Sequence, residues 1–377
     1  MTAAGLIFSN IHDRSIPELT RMRTMASVPY GGRYRLIDFA LSNMVNSGIT
    51  KIGVITHYNY QSLLDHIGTG KDWDLARRSG GIKILPPYIT AYETGAANKL
   101  YTTRLEALMG AAHFINRCTE EYIVLSDCDV ICNIDLGDVI KAHAESGADV
   151  TFVTKRVNSE EVKLGEKTAL ITADKNGRVI DFTEGNPSKG TVNICTNIMV
   201  MKRAYLSAVI ADATAHGYTS FFKDIISRTL TRANYRIYEY DGWYACIGSL
   251  ESYFDCSMQL LGDTAREALF GQKNRPVLTK VRNSAPTKYC EGSAIKNSLV
   301  ADGCVIEGEV ENSIIFRGVK VGRGTVVKNS ILLQDTYVGS DVSLNCVITD
   351  KNVVIRDGRN LSGHETMPFF IGKGGSV

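Results

Sequence analysis

The C-terminal third of the chain carries two superimposed repeats, and these constrain its fold more than any other feature. From about residue 279, short β-type segments alternate with glycines. Aliphatic residues recur every six positions, at Ile315, Val321, Val327 and Leu333, then at Val342, Ile348 and Val354. A longer repeat places asparagines at Asn297, Asn312, Asn329 and Asn345, at intervals of 15, 17 and 16 residues. Three six-residue sides with one shortened corner make a coil of about that length, so the double period predicts a left-handed parallel β-helix and disfavours an antiparallel β-domain.

The first 262 residues follow a different pattern, in which apolar strand candidates alternate with helix candidates. The strand candidates are residues 3–8, 51–56, 122–125, 150–154 and 179–182, and the helix candidates are residues 61–67, 104–116 and 136–146. A further helix is expected from Leu250, because Leu250, Phe254, Met258 and Leu261 share one face. This order predicts a Rossmann-like α/β domain with a mainly parallel sheet covered on both faces. We therefore divide the chain into an α/β domain (1–262), a linker (263–290), the β-helix (291–357) and a C-terminal tail (358–377).

Composition excludes several classes of function. A net charge of +2 gives no reason to expect nucleic acid or acidic membranes as partners. No run of 18 apolar residues occurs, and the first ten residues lack the basic and apolar regions of a signal peptide. The nine cysteines include no Cys-x-x-Cys pair, which is typical of small core residues in a reducing compartment. We expect a cytoplasmic protein.

A nucleotide site in the α/β domain would need a glycine-rich loop after the first strand and carboxylates at strand ends to hold Mg²⁺. The loop that follows the first strand, residues 9–16, contains no glycine, and Ile11 places bulk where phosphates would lie. The strand at 122–125 runs into Asp127 and Asp129, at the edge where ligands bind in open α/β sheets. Such a pair is equally common as a turn cap, so on its own it leaves both interpretations open.

Residues 28–49 make the chain recognisable. Their sequence, VPYGGRYRLIDFALSNMVNSGI, closely resembles the bacterial ADP-glucose pyrophosphorylases, also called glucose-1-phosphate adenylyltransferases. Further matches occur at residues 53–56, 222–224 and 248–253, and in the repeat region at 303–308 and 332–339. The resemblance thus spans nearly the whole chain. It implies a nucleotidyltransferase domain followed by a left-handed β-helix, in a family that makes ADP-glucose for glycogen from ATP and glucose 1-phosphate.

The resemblance also shows which basic groups this chain lacks. Where catalytic members have a Gly-Gly-x-Gly-Thr-Arg loop, this chain has residues 10–15, and the catalytic arginine falls on Ser15, beside Arg14. The family lysine of Arg-Ala-Lys-Pro-Ala falls on Met25, and a basic position linked to effector response falls on Met22. The sugar-phosphate lysine falls on Gly185, within Glu-Gly-Asn at 184–186.

The metal-binding carboxylates are half preserved. One family aspartate is matched by Asp129, with Asp135 following at the family's spacing, whereas the second falls on Cys246. In total an arginine, two lysines and an aspartate are replaced. Because loss of one charge-stabilising group costs about two to three orders of magnitude in rate, we predict no catalytic residues in this chain. We likewise predict no metal site, since Asp129 alone is half of one, and no cofactor. Mg²⁺ would belong to a catalytic partner.

The family includes a non-catalytic paralogous subunit that assembles with the catalytic one and changes its kinetics. We predict that this chain is such a regulatory subunit, in a heterotetramer with the catalytic subunit, with self-association as a further possibility. One alternative is a weakly active or self-sufficient adenylyltransferase that uses Arg14 and Asp127 in place of the lost groups. Another is a sugar-phosphate or nucleotide sensor, for which the retained pocket residues are Asp129, Glu184, Lys223 and Asp224.

Two arginines in the recognisable segment are candidates for an effector site. Arg33 and Arg35 lie two residues apart, and paired arginines suit the phosphates of a sugar bisphosphate. The competing interpretation, which we favour from the sequence, is a structural hydrogen-bond anchor beside Asp38. A β-helix acyltransferase is disfavoured, because the nearest histidine to the coils is His364, beyond the last clear repeat.

Overall fold

A computed structural model describes residues 1–87, 101–159, 168–185 and 190–377 of the chain. The strands of the N-terminal part are β1 (Ala3–Phe8), β2 (Pro29–Tyr30), β3 (Tyr34–Arg35), β4 (Lys51–Ile55), β5 (Gly81–Leu85), β6 (Tyr122–Asp127), β7 (Val130–Cys132), β8 (Val150–Asn158), β9 (Ala169–Ala173), β10 (Val179–Glu184), β11 (Thr191–Lys202), β12 (Tyr235–Glu239) and β13 (Tyr244–Cys246). The α-helices are α1 (Pro17–Thr20), α2 (Leu36–Asn46), α3 (Gln61–Ile67), α4 (Arg104–Gly110), α5 (Ala112–Asn116), α6 (Leu136–Ser146), α7 (Arg203–His216), α8 (Ser227–Thr229), α9 (Leu250–Met258) and α10 (Asp263–Phe270). Among these helices, none combines the length and the apolar character needed to cross a membrane.

The large sheet has the predicted α/β organisation. Its strands run in the order β10-β9-β11-β6-β1-β4-β5, with β8 paired to β11 and β12 paired to β8. Strand β1 is parallel to both β4 and β6, β4 is parallel to β5, and β12 is parallel to β8. The long strand β11 is antiparallel to β6 and β8. The prediction of a Rossmann-like domain with a mainly parallel sheet is confirmed. Beyond β11 the sheet continues through antiparallel pairing to β9 and then β10.

Both faces of this sheet are covered, as expected. Leu6 and Phe8 pack on one face with α4, α5 and α7, whereas Ile7 packs on the other face with α2, α3 and α6. This division follows from the strand period of two residues. The single helix predicted over residues 104–116 is two helices, α4 and α5, because the poor helix former Gly110 and the bent backbone of Ala111 separate them.

The C-terminal part forms three parallel sheets of five strands each, the arrangement of a left-handed β-helix. Its strands are β14 (Lys288–Tyr289), β15 (Ala294–Lys296), β16 (Leu299–Val300), β17 (Val305–Ile306), β18 (Glu309–Glu311), β19 (Ile314–Ile315), β20 (Lys320–Val321), β21 (Val326–Lys328), β22 (Ile331–Leu332), β23 (Tyr337–Val338), β24 (Ser343–Asn345), β25 (Val347–Thr349), β26 (Val354–Ile355), β27 (Asn360–Ser362) and β28 (Phe369–Ile371). The sheets are β14-β17-β20-β23-β26, β15-β18-β21-β24-β27 and β16-β19-β22-β25-β28. The coils therefore run from Lys288 to Ile371 rather than from 291 to 357. The segment expected as a tail (358–377) supplies β27 and β28, and the segment expected as a linker (263–290) contains α10.

The asparagine repeat marks one corner of the coil, with one correction. Asn297, Asn312 and Asn329 adopt left-handed backbone conformations, with φ of 43°, 46° and 46°. Asparagine tolerates this region better than most residues because its short polar side chain bonds locally. In the fourth coil this position belongs to Cys346 (φ 51°), since Asn345 pairs in register with Lys328. The last interval is therefore 17 residues, not the 16 read from the sequence.

The aliphatic repeat also differs in its second half. Ile315, Val321 and Val327 fill the interior of the coils as predicted. Ile355 instead of Val354 points inward in the fifth coil, and Val354 is 41% exposed. The extra corner residue shifts the period by one position, which turns each following side chain to the other face.

Leu333 and Ile348 lie on the outer face of the coils, where they join a core shared by both domains. Together with Ile314, Phe316 and Ile331 they pack against residues of the α/β domain that include Tyr30, Phe39, Tyr253, Phe254 and Leu260. A buried ion pair crosses the same boundary: Nη2 of Arg23 donates to Oδ1 and Oδ2 of Asp350 at 2.8 and 2.9 Å. Both side chains are less than 5% exposed. The two domains are thus joined by a hydrophobic core and a desolvated ion pair.

Candidate functional site

The loop after β1 is held closed by the side chain of Asn10. Its Oδ1 accepts hydrogen bonds from Ser9 Oγ at 2.7 Å, Thr56 Oγ1 at 2.8 Å and the His57 amide at 3.0 Å. Its Nδ2 donates to Asp13 Oδ2 at 2.6 Å. These bonds fasten the loop to Thr56 and His57 at the end of β4. The loop also lacks the glycines that let a backbone wrap closely around a phosphate chain.

Asp13 ties this loop to the next one. Its Oδ1 accepts from the backbone amide of Met25 at 2.7 Å, and burial raises the pKa of Asp13 to about 6 despite that bond and the one from Asn10. The Met25 side chain is 1% exposed and packs in the shared core, so the position where the resemblance places the family lysine is an apolar packing site. Met22 is 63% exposed, and both Arg14 and Ser15 are exposed on a 3₁₀ turn (Asp13–Ser15).

A charged cluster lies at the carboxyl end of β6. His12 Nε2 donates to Asp127 Oδ2 at 2.7 Å and lies 3.6 Å from Asp129 Oδ2. Arg104, at the start of α4, donates to the same oxygen of Asp127. Asp127 is fully buried and Asp129 is 3% exposed, whereas 27% of the His12 side chain reaches solvent. The first loop thus brings a basic side chain onto the two carboxylates.

The pKa directions in this cluster follow from its charges. Burial favours a neutral His12, but the charge of Asp129 and the hydrogen bond and charge of Asp127 outweigh it and raise the pKa of His12 to about 9. Burial also opposes ionisation of Asp127, yet Arg104 and His12 hold the pKa of Asp127 below its usual value. For Asp129, burial and the neighbouring Asp127 raise the pKa. Two carboxylates therefore face one imidazolium and one guanidinium, and the cluster is close to neutral.

Cys246 lies beside Asp129, where the resemblance places the second metal-binding aspartate. Strand β13 is antiparallel to β7, with Cys246 opposite Val130, and the Cys246 Sγ donates to Asp129 Oδ2 at 3.5 Å. Burial and the charge of Asp129 hold the pKa of the Cys246 thiol well above its usual value. Asp135 lies at the far end of β7 and caps α6, accepting from the Gly137 amide at 2.8 Å.

These residues do not fit Mg²⁺, the metal that the resemblance implies for the family. Mg²⁺ requires hard oxygen ligands in near-octahedral geometry and usually keeps several waters. Here one of the two carboxylates is replaced by a thiol, and the positive side chains of His12 and Arg104 already contact Asp127. Two buried oxygens, Oδ1 of Asp127 and Oδ1 of Asp129, nevertheless have no hydrogen-bond partner.

Of the other residues expected in the pocket, Lys223 and Glu184 contact each other, and Asp224 bonds to the backbone. Lys223 Nζ lies 3.6 Å from Glu184 Oε2, and the two side chains are 74% and 38% exposed. Asp224 accepts from the amides of Thr219 and Ser220 and so caps the π-helical segment (Phe221–Ile226) that follows. Gly185 has φ of 137°, a backbone conformation that disfavours the lysine that the resemblance places there. The next residue of that motif, at position 186, lies outside the described residues.

Arg35 and Arg33 have different environments. Arg35 is 7% exposed, and its Nη1 donates to the Ser62 carbonyl at 2.6 Å and to Ser62 Oγ at 2.9 Å. Its backbone amide donates to Asp38 Oδ2 at 3.0 Å, as a structural anchor would. Arg33 is exposed and lies over the ring of Tyr34.

Both arginines line a strongly basic cleft between the two domains, which we call the interdomain cleft. Its basic residues are Arg33, Arg35, Lys280, Arg282, Arg317 and Lys351. Burial and the charges of Arg35 and Arg23 lower the pKa of Lys351 to about 7, although Asp350 acts in the opposite direction. Arg317 also pairs with Asp302 at 2.9 Å. Crowded cations with few acidic partners favour an anion that carries more than one charge.

Comparison with known proteins agrees with this architecture. The family model described as nucleotidyl transferase matches residues 16–262, and the model described as GlmU-like, C-terminal hexapeptide matches residues 284–366. The chain belongs to the nucleotidyl transferase family. As a member of that family it is similar to the glycogen biosynthesis protein GlgD of Bacillus subtilis (strain 168), with 34% identity over 372 residues, 98% of this chain and 95% of the relative.

Other nucleotidyl transferases with similar sequences are named as enzymes. The glucose-1-phosphate adenylyltransferase of Thermotoga maritima is 35% identical over 319 residues, which cover 82% of this chain and 72% of the relative. That of Fervidobacterium nodosum is 31% identical over 365 residues, 96% of this chain and 86% of the relative. The sequence comparison with this family singled out Asp129 and Cys246, which the structure brings together. It missed His12 and Arg104, because each of them contacts Asp127, which is remote in sequence. It also missed Lys351, for which the adjacent charged residues Asp350 and Lys351, at the end of an apolar strand, were the available signal.

Proposed function

We propose that this chain is a non-catalytic regulatory subunit of a hetero-oligomeric glucose-1-phosphate adenylyltransferase that acts in glycogen biosynthesis in the cytoplasm. The observation that carries the proposal is the set of contacts made by the carboxylates at the end of β6, where the reaction centre of a catalytic relative would lie. The carboxylates that would face a metal instead contact His12 and Arg104, and a neutral thiol stands beside Asp129. All nine cysteines are free, which suits a reducing compartment.

The chemistry of the reaction gives this observation its weight. Transfer of a nucleotidyl group depends on positioning the phosphates and on neutralising the charge that develops in the transition state. The first loop contains no glycine and is fastened to Thr56 by Asn10, and Met25 is buried among apolar side chains. These features support a centre that has kept its fold without the groups that reaction requires.

The self-sufficient alternative finds less support in the same contacts. Arg14 is exposed, and Asp127 is already engaged by two cations. A sensor that binds without reacting would rely on Lys223 and Glu184, whose side chains pair with each other in an exposed position. Neither alternative is favoured by a specific contact.

The regulatory proposal is tested by mixing this chain with a catalytic relative and measuring the rate of ADP-glucose formation. At a fixed concentration of a catalytic relative, addition of this chain is expected to change kcat or substrate affinity about 5- to 150-fold, the range of a coupling free energy of about 1–3 kcal/mol. The two chains should also co-elute from a size-exclusion column. A fold-matched control is a second copy of the catalytic relative with its own metal-binding aspartates replaced. Absence of both a complex and a kinetic change would refute the proposal.

We further propose that the mouth of the interdomain cleft, whose free volume of about 10 Å³ is too small to enclose a sugar, binds one acidic group of an anionic effector such as a sugar bisphosphate. Six basic side chains line the cleft, and two of them, Arg317 and Lys351, come from the β-helix. An anion bound there would contact both domains at once. It could therefore favour one arrangement of the subunits through its differential contacts.

Anion binding in the cleft is expected to depend on pH. Because the pKa of Lys351 is about 7, this side chain is charged below that pH and neutral above it, whereas the surrounding arginines keep their charge. Affinity for sulfate, whose own charge is constant there, should fall about tenfold as the pH rises through 7. Calorimetric titration measures this.

The variant Lys351→Gln should bind sulfate weakly at every pH, because it removes the titrating charge. Lys320→Gln, a matched change on the exposed face of β20, should leave both affinity and pH dependence intact. Equal pH dependence in wild type and Lys351→Gln would contradict the assignment.

A further inference from the structure

An open cavity lies at one end of the two-stranded sheet formed by β7 and β13, opposite to the end that carries Asp129 and Cys246. Because the two strands are antiparallel, Asn133, which follows β7, and Trp243, which precedes β13, meet at this end. Both residues line the cavity, whose volume of about 290 Å³ is at the lower limit for small-molecule sites. The cavity is therefore separate from the residues at which the resemblance places the reaction centre.

Hydrogen bonds hold the walls of this cavity in place. Asn133 is 4% exposed, and its Nδ2 donates to the carbonyls of Leu269 and Arg275 at 2.8 Å each. On the opposite wall, Lys155 Nζ donates to the carbonyl of Asp241 at 2.8 Å. The cavity is thus formed before any ligand enters, as small-molecule sites usually are.

A buried acceptor in the wall points to a ligand. Because Nδ2 of Asn133 makes two hydrogen bonds to carbonyl oxygens, the remaining terminal atom of this side chain is the amide oxygen, which can only accept. This atom, Oδ1, is buried and has no hydrogen-bond partner. A buried acceptor without a partner costs free energy, and a ligand that donates a hydrogen bond to it would remove that cost.

The charged and polar side chains around the cavity suit a neutral ligand that is rich in hydroxyl groups. The carboxylates of Glu239 and Asp241 accept hydrogen bonds, whereas Gln272 and Arg275 can donate them. With Lys155 beside the cavity, two negative side chains are balanced by two positive ones, so the cavity has no excess charge to attract a phosphate group. Hydroxyl groups both donate and accept, and they therefore suit all of these partners.

Three aromatic side chains, Tyr238, Tyr240 and Trp243, line the same cavity. The faces of aromatic rings carry partial negative charge, so they attract the weakly positive C–H groups of a sugar ring. We propose that this cavity binds a neutral saccharide of the kind that an α-glucan chain presents. The choice of an α-glucan among saccharides rests on the proposed function in glycogen biosynthesis.

Tryptophan fluorescence reports on this cavity directly, because the chain has two tryptophans and the other one, Trp73, is fully buried in the α/β domain. Titration of the full-length chain with maltotriose should change the fluorescence of Trp243 saturably, and calorimetry should give the same affinity. Glucose 1-phosphate, an anionic probe, and adenosine, a planar one, should not displace maltotriose. Cosedimentation with glycogen then distinguishes the two sources of the saccharide. Maltotriose binding with cosedimentation assigns the cavity to the polymer, and maltotriose binding without it assigns the cavity to free oligosaccharides; both support the proposal.

Two variants test whether the saccharide lies in this cavity. Trp243→Phe should abolish the fluorescence change and weaken the calorimetric affinity about three- to tenfold, because the smaller ring offers less surface to the sugar. Glu239→Gln keeps the shape of the side chain but removes a charged acceptor, and it should weaken binding about tenfold. The matched control is Glu145→Gln, an exposed position on α6 that should keep the affinity of the wild type. Circular dichroism establishes that each variant is folded.

Three outcomes would overturn the proposal. They are absence of saturable binding of maltotriose and glycogen to the folded wild type, unchanged affinity in both cavity variants, and displacement of maltotriose by adenosine at similar concentrations. All of these measurements use this chain alone, without a catalytic relative. Failure of saccharide binding therefore leaves the result of subunit mixing intact, and failure of subunit mixing leaves the saccharide measurements intact.

Discussion

Assayed alone, this chain is expected to make ADP-glucose from ATP and glucose 1-phosphate at least about 10⁴-fold more slowly than a catalytic relative. Loss of one charge-stabilising group in a reaction centre costs about 10²–10³ in kcat. The family resemblance places four such changes in this chain, at Ser15, Met25, Gly185 and Cys246. Because groups that act as a unit are not additive, two independent losses set the conservative estimate. A radiometric assay of ADP-glucose formation, run at high enzyme concentration, measures the rate.

Reverting a single substitution is not expected to restore adenylyltransferase activity. Cys246→Asp should leave the rate of this chain within about tenfold of wild type, because the basic groups that the resemblance places at Ser15, Met25 and Gly185 would still be missing. The matched control is the opposite change, aspartate to cysteine, at the corresponding position of the catalytic relative, which should lower its rate sharply. Turnover of the unaltered chain at rates ordinary for its relatives would contradict our account. The reaction centre would then have to be rebuilt around Arg14, Asp127 and Asp129.

The second large effect concerns the ion pair between the domains. Asp350→Ala is expected to lower the free energy of unfolding by about 3–5 kcal/mol, because it leaves the charge of Arg23 buried and uncompensated. The loss is sharpened by the nearby charge of Arg35 and, below about pH 7, by that of Lys351. Denaturant unfolding, followed by far-ultraviolet circular dichroism, measures the change.

Two controls separate burial from charge. Glu311→Ala breaks exposed pairs with Lys296 and Lys328 and should cost less than about 1 kcal/mol. The double variant Arg23→Met with Asp350→Leu replaces both partners by apolar groups and should recover most of the lost stability. If Asp350→Ala were as mild as Glu311→Ala, the ion pair would not be holding the domains together.

The repeats in the sequence predict the β-helix well, because each coil buries one aliphatic row and must repeat it. What they do not reveal is the length of each corner. A single added residue moved the left-handed position from Asn345 to Cys346 and the interior position from Val354 to Ile355. A period read from neighbouring residues carries no information on where that residue is inserted.

The candidate site shows a different limit of prediction from sequence. Asp129 and Cys246 could be paired because the family resemblance supplies the alignment. His12 and Arg104 could not, since His12 contacts a residue 115 positions away and neither contact leaves a local pattern. The interdomain cleft could not be predicted for the same reason. Arg35 and Lys351 are brought together by the packing of the β-helix on the α/β domain.

The core shared by the two domains has a consequence for biosynthesis. The ribosome synthesises the chain from its N-terminus. The apolar face around Tyr30, Phe39 and Tyr253 therefore emerges well before Ile314, Ile331 and Ile348 can cover it. At about 5–20 residues per second, the last 80 or so residues of that cover take about 4–16 s to synthesise. During that interval a nascent α/β domain presents a large apolar face to the cell. The β-helix thus protects the α/β domain from aggregation by covering its apolar face. Ribosome stalling within the β-helix would leave a fragment with that face exposed and prone to aggregate.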